Sequence, residues 1–345
     1  FELLSTPSPT GFETKIQAVV KRYMSKYADE IEVDLHGNMM VALNPKANRR
    51  VMLAGHCDQI GLMVSHISKD GFVYVTPLGG IDVGVLPGAI VTIHSQKGPV
   101  QGVIGRKPIH LQKDDERSKM SLDIKAIWVD IGAKNEKEAK AKIEIGDCAT
   151  FALQVTELQD GFVCSPGMDD KVGLFVAMEA LRLCASSKLQ VGLYSVSTVQ
   201  EEVGLRGART AAYRIDPEVG IAIDVTHAHD NPGRGGDKES PCDLGKGPVI
   251  VRGPAVNPVV DKMLVATAKK HKIPYQLEAN SRMLGNDANA IQVTRGGVAA
   301  ASLGIPNRYM HTQVEMCHLK DLENAAKLLA NFVKSITNRT DFRPK

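Results

Sequence analysis

The chain has 345 residues, of which 43% are hydrophobic and 23% charged, and its formal net charge at pH 7 is +3. This length predicts about two domains, and the composition is typical of a soluble globular protein. The small net charge gives no reason to expect a nucleic acid or membrane partner, and no uninterrupted apolar stretch approaches the ~18–20 residues of a membrane span.

The first 59 residues predict an α/β opening. Apolar residues recur at helical spacing over residues 11–28, which predicts an amphipathic helix. Extended segments are predicted at 32–35, 38–43 and 51–55, and the last of these reads as a buried strand.

From about residue 60 to 153 the pattern changes to short β-like runs separated by turn signals. The runs lie at 61–67, 72–76, 89–95, 100–104 and 148–153. Short strands at this regular spacing predict a small barrel or sandwich. The polar stretch at 106–119 has no periodicity, and we expect it to be a mobile surface loop.

After residue 161 the α/β pattern returns. Buried strands are predicted at 191–199, 219–225 and 298–303, and helices at 171–185, 257–272, 288–294 and 319–336. Strands that alternate with helices predict a largely parallel sheet covered on both faces. We therefore expect one α/β domain built from residues 1–59 and 154–345, with a β domain inserted at 60–153.

Residues with metal-ligand chemistry follow several of these predicted strands. Ligand sites in open α/β sheets lie at the carboxyl ends of strands. Any one of these residues has an ordinary structural explanation, such as a helix cap for an aspartate or a hydrogen-bonded structural role for a histidine. A site is favoured because so many residues of this kind fall near strand ends in one predicted domain. The residues are His56, Asp58, Asp169, Asp170, Glu201, Glu202, Asp224 and His311.

The chemistry of this set favours a two-metal centre. Imidazoles with carboxylates suit Zn²⁺, Co²⁺ or Mn²⁺, and the mixture suits Ca²⁺ poorly. Two ions roughly 3.5–4 Å apart can share a water, lower its pKa and stabilise a tetrahedral oxyanion. Asp58 lies two residues past His56 and can accept the imidazole N–H, which fixes the ligating tautomer.

The sequence resembles the co-catalytic metallo-aminopeptidases of metallopeptidase family forty-two, which include the tetrahedral TET aminopeptidases. The resemblance spans nearly the whole chain and includes the inserted β segment. Cys57 and Gln59 depart from it, because Met and Glu are expected there. The matching stretches are Ala54-Gly55-His56-Cys57-Asp58, Met168-Asp169-Asp170-Lys171, Glu201-Glu202-Val203-Gly204, Ile223-Asp224-Val225-Thr226 and Arg308-Tyr309-Met310-His311.

The resemblance implies a role for each site residue. Asp169 would bridge two ions, with Glu202 completing the shell of one ion and His311 that of the other. Glu201 would be the general base and acid, and Asp58 would orient His56. The implied metal ligands are His56, Asp169, Glu202, Asp224 and His311.

The function implied is a di-metal aminopeptidase that holds two zinc or cobalt ions per subunit and removes N-terminal residues from peptides. The resemblance also implies a homo-oligomer, a dodecamer built from dimers through the inserted β domain. We expect a cytoplasmic location, because the six cysteines are scattered without a Cys-x-x-Cys pair and the first residues lack a secretory signal pattern.

Three other classes of function remain open from the sequence: another hydrolase on the same scaffold, a glycosidase, and a non-catalytic protein. A deacylase or a carboxypeptidase could use the same two-metal scaffold. A glycosidase would need Glu201 and Glu202 to flank a glycosidic bond, which adjacent residues are poorly placed to do. A non-catalytic metal-binding or assembly protein is the third, and the complete set of acids and ligands argues against it.

Overall fold

The computed structural model describes residues 1–112, 122–233 and 240–344. The five helices predicted from the sequence are confirmed as α2, α4, α6, α7 and α8, with small shifts at their ends. The helices in these ranges, α1 to α8, are Glu2–Ser5, Thr14–Met24, Glu136–Lys140, Met168–Cys184, Arg206–Ile215, Pro258–His271, Asp287–Gln292 and Leu319–Ser335.

An eight-stranded mixed sheet forms the centre of the molecule. In order across the sheet, its strands are β1 (Glu30–Val33), β2 (Met39–Leu43), β12 (Gly192–Thr198), β3 (Arg50–His56), β13 (Val219–His227), β16 (Ala299–Asn307), β14 (Val249–Arg252) and β15 (Gln276–Ala279). The four strands from β12 to β16 run parallel, as do β14 and β15. The contacts of β1 with β2, β2 with β12, and β14 with β16 are antiparallel. The predicted α/β fold with a mixed, largely parallel sheet is confirmed.

Strand β3 illustrates why this sheet needs helices on both faces. Successive side chains of a strand point to opposite faces. Val51 and Leu53 belong to the core cluster that includes α4 and α8, whereas Met52 and Ala54 pack with α5 and α7. Apolar residues at every position therefore bury the strand from both sides. Gly55 allows α4 to approach closely, because a Cβ there would lie 2.4 Å from backbone atoms of that helix.

A closed six-stranded barrel follows β3 along the chain. Its strands, in order around the barrel, are β4 (Gly61–Ile67), β5 (Val73–Leu78), β8 (Ile127–Asp130), β7 (Gly98–Arg106), β6 (Ile90–Ser95) and β9 (Cys148–Phe151). It has its own hydrophobic core. All six strands fall inside the segment 60–153, and the sequence analysis missed β8. Of the loop predicted at 106–119, residues 113–119 lie outside the described ranges, and the described part contains a 3₁₀ turn at Ile109–Leu111.

A small third sheet joins the segment after the barrel to the C-terminal part of the chain. It consists of β10 (Thr156–Glu157), β11 (Phe162–Cys164) and β17 (Met316–His318), paired antiparallel. It places the residue before β17 beside the start of α4, close to the candidate site. Within the described ranges, no helix combines the length and apolar character needed to span a membrane.

Candidate metal centre

The carboxyl ends of the parallel strands bring the predicted site residues to one edge of the sheet. His56 is the last residue of β3, and Asp224 lies in the second half of β13. Glu201 follows β12 after two intervening residues, and His311 follows β16. Parallel strands end at the same edge, so residues far apart in sequence meet there. One cavity of about 680 Å³ is lined by six of the predicted residues, His56, Asp169, Glu201, Glu202, Asp224 and His311.

Asp169 stands between the two histidines. Its Oδ1 lies 3.1 Å from His56 Nε2, and its Oδ2 lies 3.2 Å from His311 Nε2. Burial acts to raise the pKa of Asp169, but the imidazoles of His311 and His56 outweigh it and hold the pKa below the usual range. One carboxylate with each oxygen facing a different imidazole is the arrangement expected of a group that bridges two cations.

The adjacent acids Glu201 and Glu202 face different histidines. Glu201 Oε2 lies 3.9 Å from His56 Nε2, and Glu202 Oε1 lies 3.7 Å from His311 Nε2. Gln200, just before the pair, has a φ of 54°, which is uncommon for a residue other than glycine. The sequence interpretation assigned Glu202 and His311 to different ions. The distances instead group them on the same side of Asp169.

Asp58 is fully buried and holds the segment that carries the two glutamates. Its Oδ1 accepts the backbone N–H of Glu201 at 3.0 Å, and its Oδ2 accepts that of Glu202 at 3.2 Å. Thr10 donates its hydroxyl to the same Oδ2 at 2.9 Å. His56 Nδ1 lies 3.0 Å from the backbone carbonyl of Asp58 and 3.5 Å from its carboxylate. The backbone carbonyl is therefore the nearer acceptor for the imidazole N–H.

Asp170, His56 and Asp224 also each offer a possible ligand atom within 4.8 Å of the others. Both of its oxygens are already used, however. Oδ2 accepts the backbone N–H of His56 at 3.1 Å, and Oδ1 accepts that of Gly173 at 3.0 Å. The first of these hydrogen bonds fastens the end of β3 to α4, and the second lies within the first turns of α4.

Glu315 is a site residue that the sequence analysis missed. It is 1% exposed, and it accepts the backbone N–H of His311 at 2.8 Å and of Asp169 at 3.1 Å. One carboxylate thus joins the start of α4 to the segment that carries His311. The sequence signal for it is weak, since a single acid four residues after His311 has no motif around it.

Burial dominates the electrostatics of the remaining acids. It raises the pKa of Glu201 to about 8 and that of Glu202 to about 10, and it raises the pKa of Asp224 well above its usual range. Asp287, a second residue that the sequence analysis missed, is also buried, and burial raises its pKa to about 6. Carboxylates concentrated in this way need positive charge nearby to remain ionised.

Two observations indicate that divalent cations fit this centre. Glu202 Oε1 is buried and has no hydrogen-bond partner among the described residues. No lysine or arginine is among the described residues that line the cavity, so histidines are the basic side chains that face its acids. Imidazole and carboxylate groups are the donors that zinc and similar ions prefer. His56, Asp169 and Glu202 each offer an atom within 4.8 Å of the others.

Comparisons with known proteins agree with this geometry. The family model described as M42 glutamyl aminopeptidase matches residues 37–328. The chain is 39% identical to a lysyl aminopeptidase of Pyrococcus furiosus, covering 99% of this chain and 98% of that one. Among solved structures, it is similar to a TET aminopeptidase from the archaeon Thaumarchaeota archaeon SCGC AB-539-E09, with a TM-score of 0.92, 36% identity and coverage of 97% and 95%. It is also similar to the Pyrococcus horikoshii TET1 peptidase, described as assembling into a tetrahedron or a large octahedral shell, with a TM-score of 0.85, 30% identity and coverage of 97% and 98%.

Proposed function

We propose a mechanism from the premise that the chain belongs to the M42 glutamyl aminopeptidase family and is a metal-dependent aminopeptidase. The substrate is a peptide with a free N-terminus, and the first peptide bond is hydrolysed. The observation that carries the residue assignment is Asp169 between His56 and His311, with contacts of 3.1 and 3.2 Å.

Two divalent ions per subunit, zinc or cobalt, are proposed at this centre. His56, Asp224 and Oδ1 of Asp169 would hold one ion. His311, Glu202 and Oδ2 of Asp169 would hold the other, in keeping with the 3.7 Å between His311 and Glu202. When bound, the ions supply Lewis acidity and lower the pKa of water. Asp58, Asp170 and Glu315 keep the ligand-bearing backbone in place through the hydrogen bonds described above.

Glu201 is the proposed general base and acid. Unlike Glu202, it is free of a ligand role in this assignment, and it lies 3.9 Å from His56 at the cavity wall. It takes a proton from the attacking water and returns it to the leaving amine nitrogen as the peptide bond breaks. Burial raises the pKa of the Glu201 carboxyl to about 8, which is close to the pH at which a catalytic base works.

Paired variants test this assignment. Glu201→Gln should retain both ions and lose about 10²–10⁴-fold in kcat, because proton transfer is removed while the ligands remain. Glu202→Gln should lose an ion as well as activity. Metal content by mass spectrometry and hydrolysis of aminoacyl-p-nitroanilides separate the two effects. Wild-type activity in Glu201→Gln with both ions bound would rule out the proposed base.

A deacylase or carboxypeptidase on the same scaffold is distinguished by substrate blocking. An aminopeptidase should hydrolyse peptides with a free amino group and reject the N-acetylated forms. Efficient cleavage of blocked peptides would favour a deacylase. Turnover of aminoacyl-p-nitroanilides with added Zn²⁺ or Co²⁺, and none after chelation, would exclude a non-catalytic metal-binding protein.

The barrel is proposed to join subunits into dimers that build a cytoplasmic dodecamer. Ile90 and Val103 are cross-strand partners on the barrel, and they are 53% and 49% exposed. An exposed apolar pair of this kind is one that contact with a second subunit would cover. Light scattering should give a large oligomer, and Val103→Asp should reduce it to smaller species. A monomer at micromolar concentration would contradict this assembly.

A further inference from the structure

Helix α2 presents two buried polar residues to the strand that leads into the glutamates of the centre. Glu13 directly precedes the helix, and Gln17 lies one turn further along it. Only 7% of Glu13 and 6% of Gln17 is exposed. Residues four positions apart lie on the same face of a helix. This face of α2 therefore needs polar partners inside the protein, and the end of β12 supplies them.

The side chain of Glu13 reaches across to the turn after β12. It makes no capping hydrogen bond to its own helix. Its Oε1 instead accepts the backbone N–H of Gly11 at 2.7 Å and that of Gln200 at 3.3 Å. Burial raises the pKa of this carboxyl, so its removal from water has a cost that the two hydrogen bonds offset. One oxygen thus joins the segment before α2 to the turn.

Four consecutive backbone N–H groups run through this turn, and each is accepted by a buried side chain. Asn38 accepts the first, from Val199, at 3.1 Å. Glu13 accepts the second, from Gln200, and the two oxygens of Asp58 accept the third and fourth. These four residues lie beyond the end of β12. Side chains, and not a neighbouring strand, therefore fix the path of the chain here.

The second of these N–H groups belongs to a residue with an unfavourable backbone conformation. Gln200 has a φ of 54°, in the left-handed region that residues other than glycine rarely occupy. Such a conformation costs on the order of 1–3 kcal/mol and persists only where the surrounding structure holds it. Glu13 accepts the N–H of this residue, which immediately precedes Glu201.

The two glutamates depend on the turn to different extents. Glu202 is proposed as a metal ligand, so a bound ion also fixes its carboxylate. Glu201 has no ligand role in this assignment, and the position of its carboxylate depends on the backbone that carries it. A misplacement of about 1 Å at a catalytic group can reduce the rate about 100-fold. Support for the turn therefore bears on proton transfer more than on metal binding.

We propose that Glu13 is a positioning residue for the general base. By accepting the N–H of Gln200, it fixes the turn from which the carboxylate of Glu201 reaches the attacking water. This inference rests on the proposed function, in which Glu201 transfers the proton. Glu13 acts through its hydrogen bonds and not through its charge, because a single oxygen accepts both N–H groups.

Gln17 provides the matched control on the same face of α2. Its Nε2 donates to the backbone carbonyl of Gly37 at 2.9 Å and to that of Ser197 at 3.1 Å. Ser197 lies inside β12, where β2 and β3 pair with it on both sides. Loss of Gln17 therefore removes buried hydrogen bonds to β12 while the sheet keeps the strand in place.

The test measures kcat, KM, ion content and thermal midpoint of metal-loaded variants, with the aminoacyl-p-nitroanilide that the wild type hydrolyses fastest. Glu13→Ala should lose about 10–100-fold in kcat, with both ions bound and KM within about threefold of wild type. Glu13→Gln should keep kcat within about threefold, because its Oε1 can accept the same two N–H groups. Glu13→Asp keeps the charge but is one methylene shorter, so it should lose part of kcat. Gln17→Ala should lower the thermal midpoint and keep kcat within about threefold.

Several outcomes would overturn the proposal. Wild-type kcat in a folded Glu13→Ala would show that the general base does not depend on this residue. If Glu13→Ala does not fold, a loss of kcat in Glu13→Gln with none in Glu13→Asp would assign the effect to charge. Equal losses of kcat in Gln17→Ala and Glu13→Ala would assign it to general destabilisation. These results leave the base itself in place, whereas wild-type activity in Glu201→Gln would refute the base and this role with it.

Discussion

Substitution of Glu315 by glutamine should weaken metal binding although Glu315 is not proposed as a ligand. In the folded chain each carboxylate oxygen accepts one backbone N–H, from His311 at 2.8 Å and from Asp169 at 3.1 Å. Glutamine keeps one acceptor and turns an NH₂ group toward the other N–H. The variant therefore loses one hydrogen bond to a charged group, which contributes about 1.5–3 kcal/mol.

This free energy corresponds to about 10–150-fold in an equilibrium constant, and outer partners of metal ligands typically account for 10–100-fold in affinity. We expect the affinity for the ion beside His311 to fall by that factor. Titration of metal-free protein with Zn²⁺ against a chromophoric chelator measures it, with the exposed Glu323→Gln as control. A folded Glu315→Gln protein that binds both ions within twofold of wild type would refute the reasoning.

Three further substitutions test other parts of the structure. Gly55→Ala should destabilise the protein by about 3 kcal/mol or more, seen as a lower thermal midpoint, because the new methyl would lie 2.4 Å from the backbone of Gly173. Gly80→Ala should reduce activity by roughly tenfold with little change in stability, because its methyl would lie 3.2 Å from His311 Nδ1 and displace the ring. His94→Gln should reduce the loss of stability on acidification. Burial lowers the pKa of His94 to about 4, so the folded form resists protonation, and stability present above pH 6.5 is lost as pH falls toward 4, by roughly 1–2 kcal/mol after allowance for partial exposure.

Each of these three substitutions has a matched control variant. Gly296→Ala is the control for both glycine substitutions, since a Cβ there meets nothing within 4 Å. Equal thermal midpoints for Gly55→Ala and Gly296→Ala would contradict the close approach of β3 and α4. Wild-type activity in Gly80→Ala would show that the ring is not constrained by the barrel loop. His66→Gln, at an exposed position, is the control for His94→Gln. If stability depends on pH identically in the two variants, His94 is not the cause of the loss of stability on acidification.

Most of the proposed ligands were predictable from sequence because they lie in or just after a recognisable apolar strand. His56 is the last residue of one such strand, β3, and Asp224 lies in the second half of another, β13. The rule that sites lie at carboxyl ends of parallel strands then brings them together without any coordinates. The same reasoning could not assign Glu202 to an ion, because the direction of the Glu202 side chain depends on the turn at Gln200.

The supporting residues were less predictable because their partners are distant and lie on the backbone. Glu315 accepts hydrogen bonds from the start of α4 and from the segment that carries His311, and Asp170 joins β3 to α4. No periodicity marks such residues. The same limit explains the missed strand β8, since four residues bounded by a 3₁₀ turn carry little alternation. The division of the chain at residues 59 and 153 stays a prediction, although every barrel strand lies between those positions.

The central claim is that Asp169 bridges a pair of divalent ions. Anomalous diffraction from crystals of zinc-loaded protein tests it most directly. The account predicts two peaks per subunit about 3.5–4 Å apart, one beside His56 and Asp224 and the other beside His311 and Glu202. A single peak, or ions away from Asp169, would contradict it.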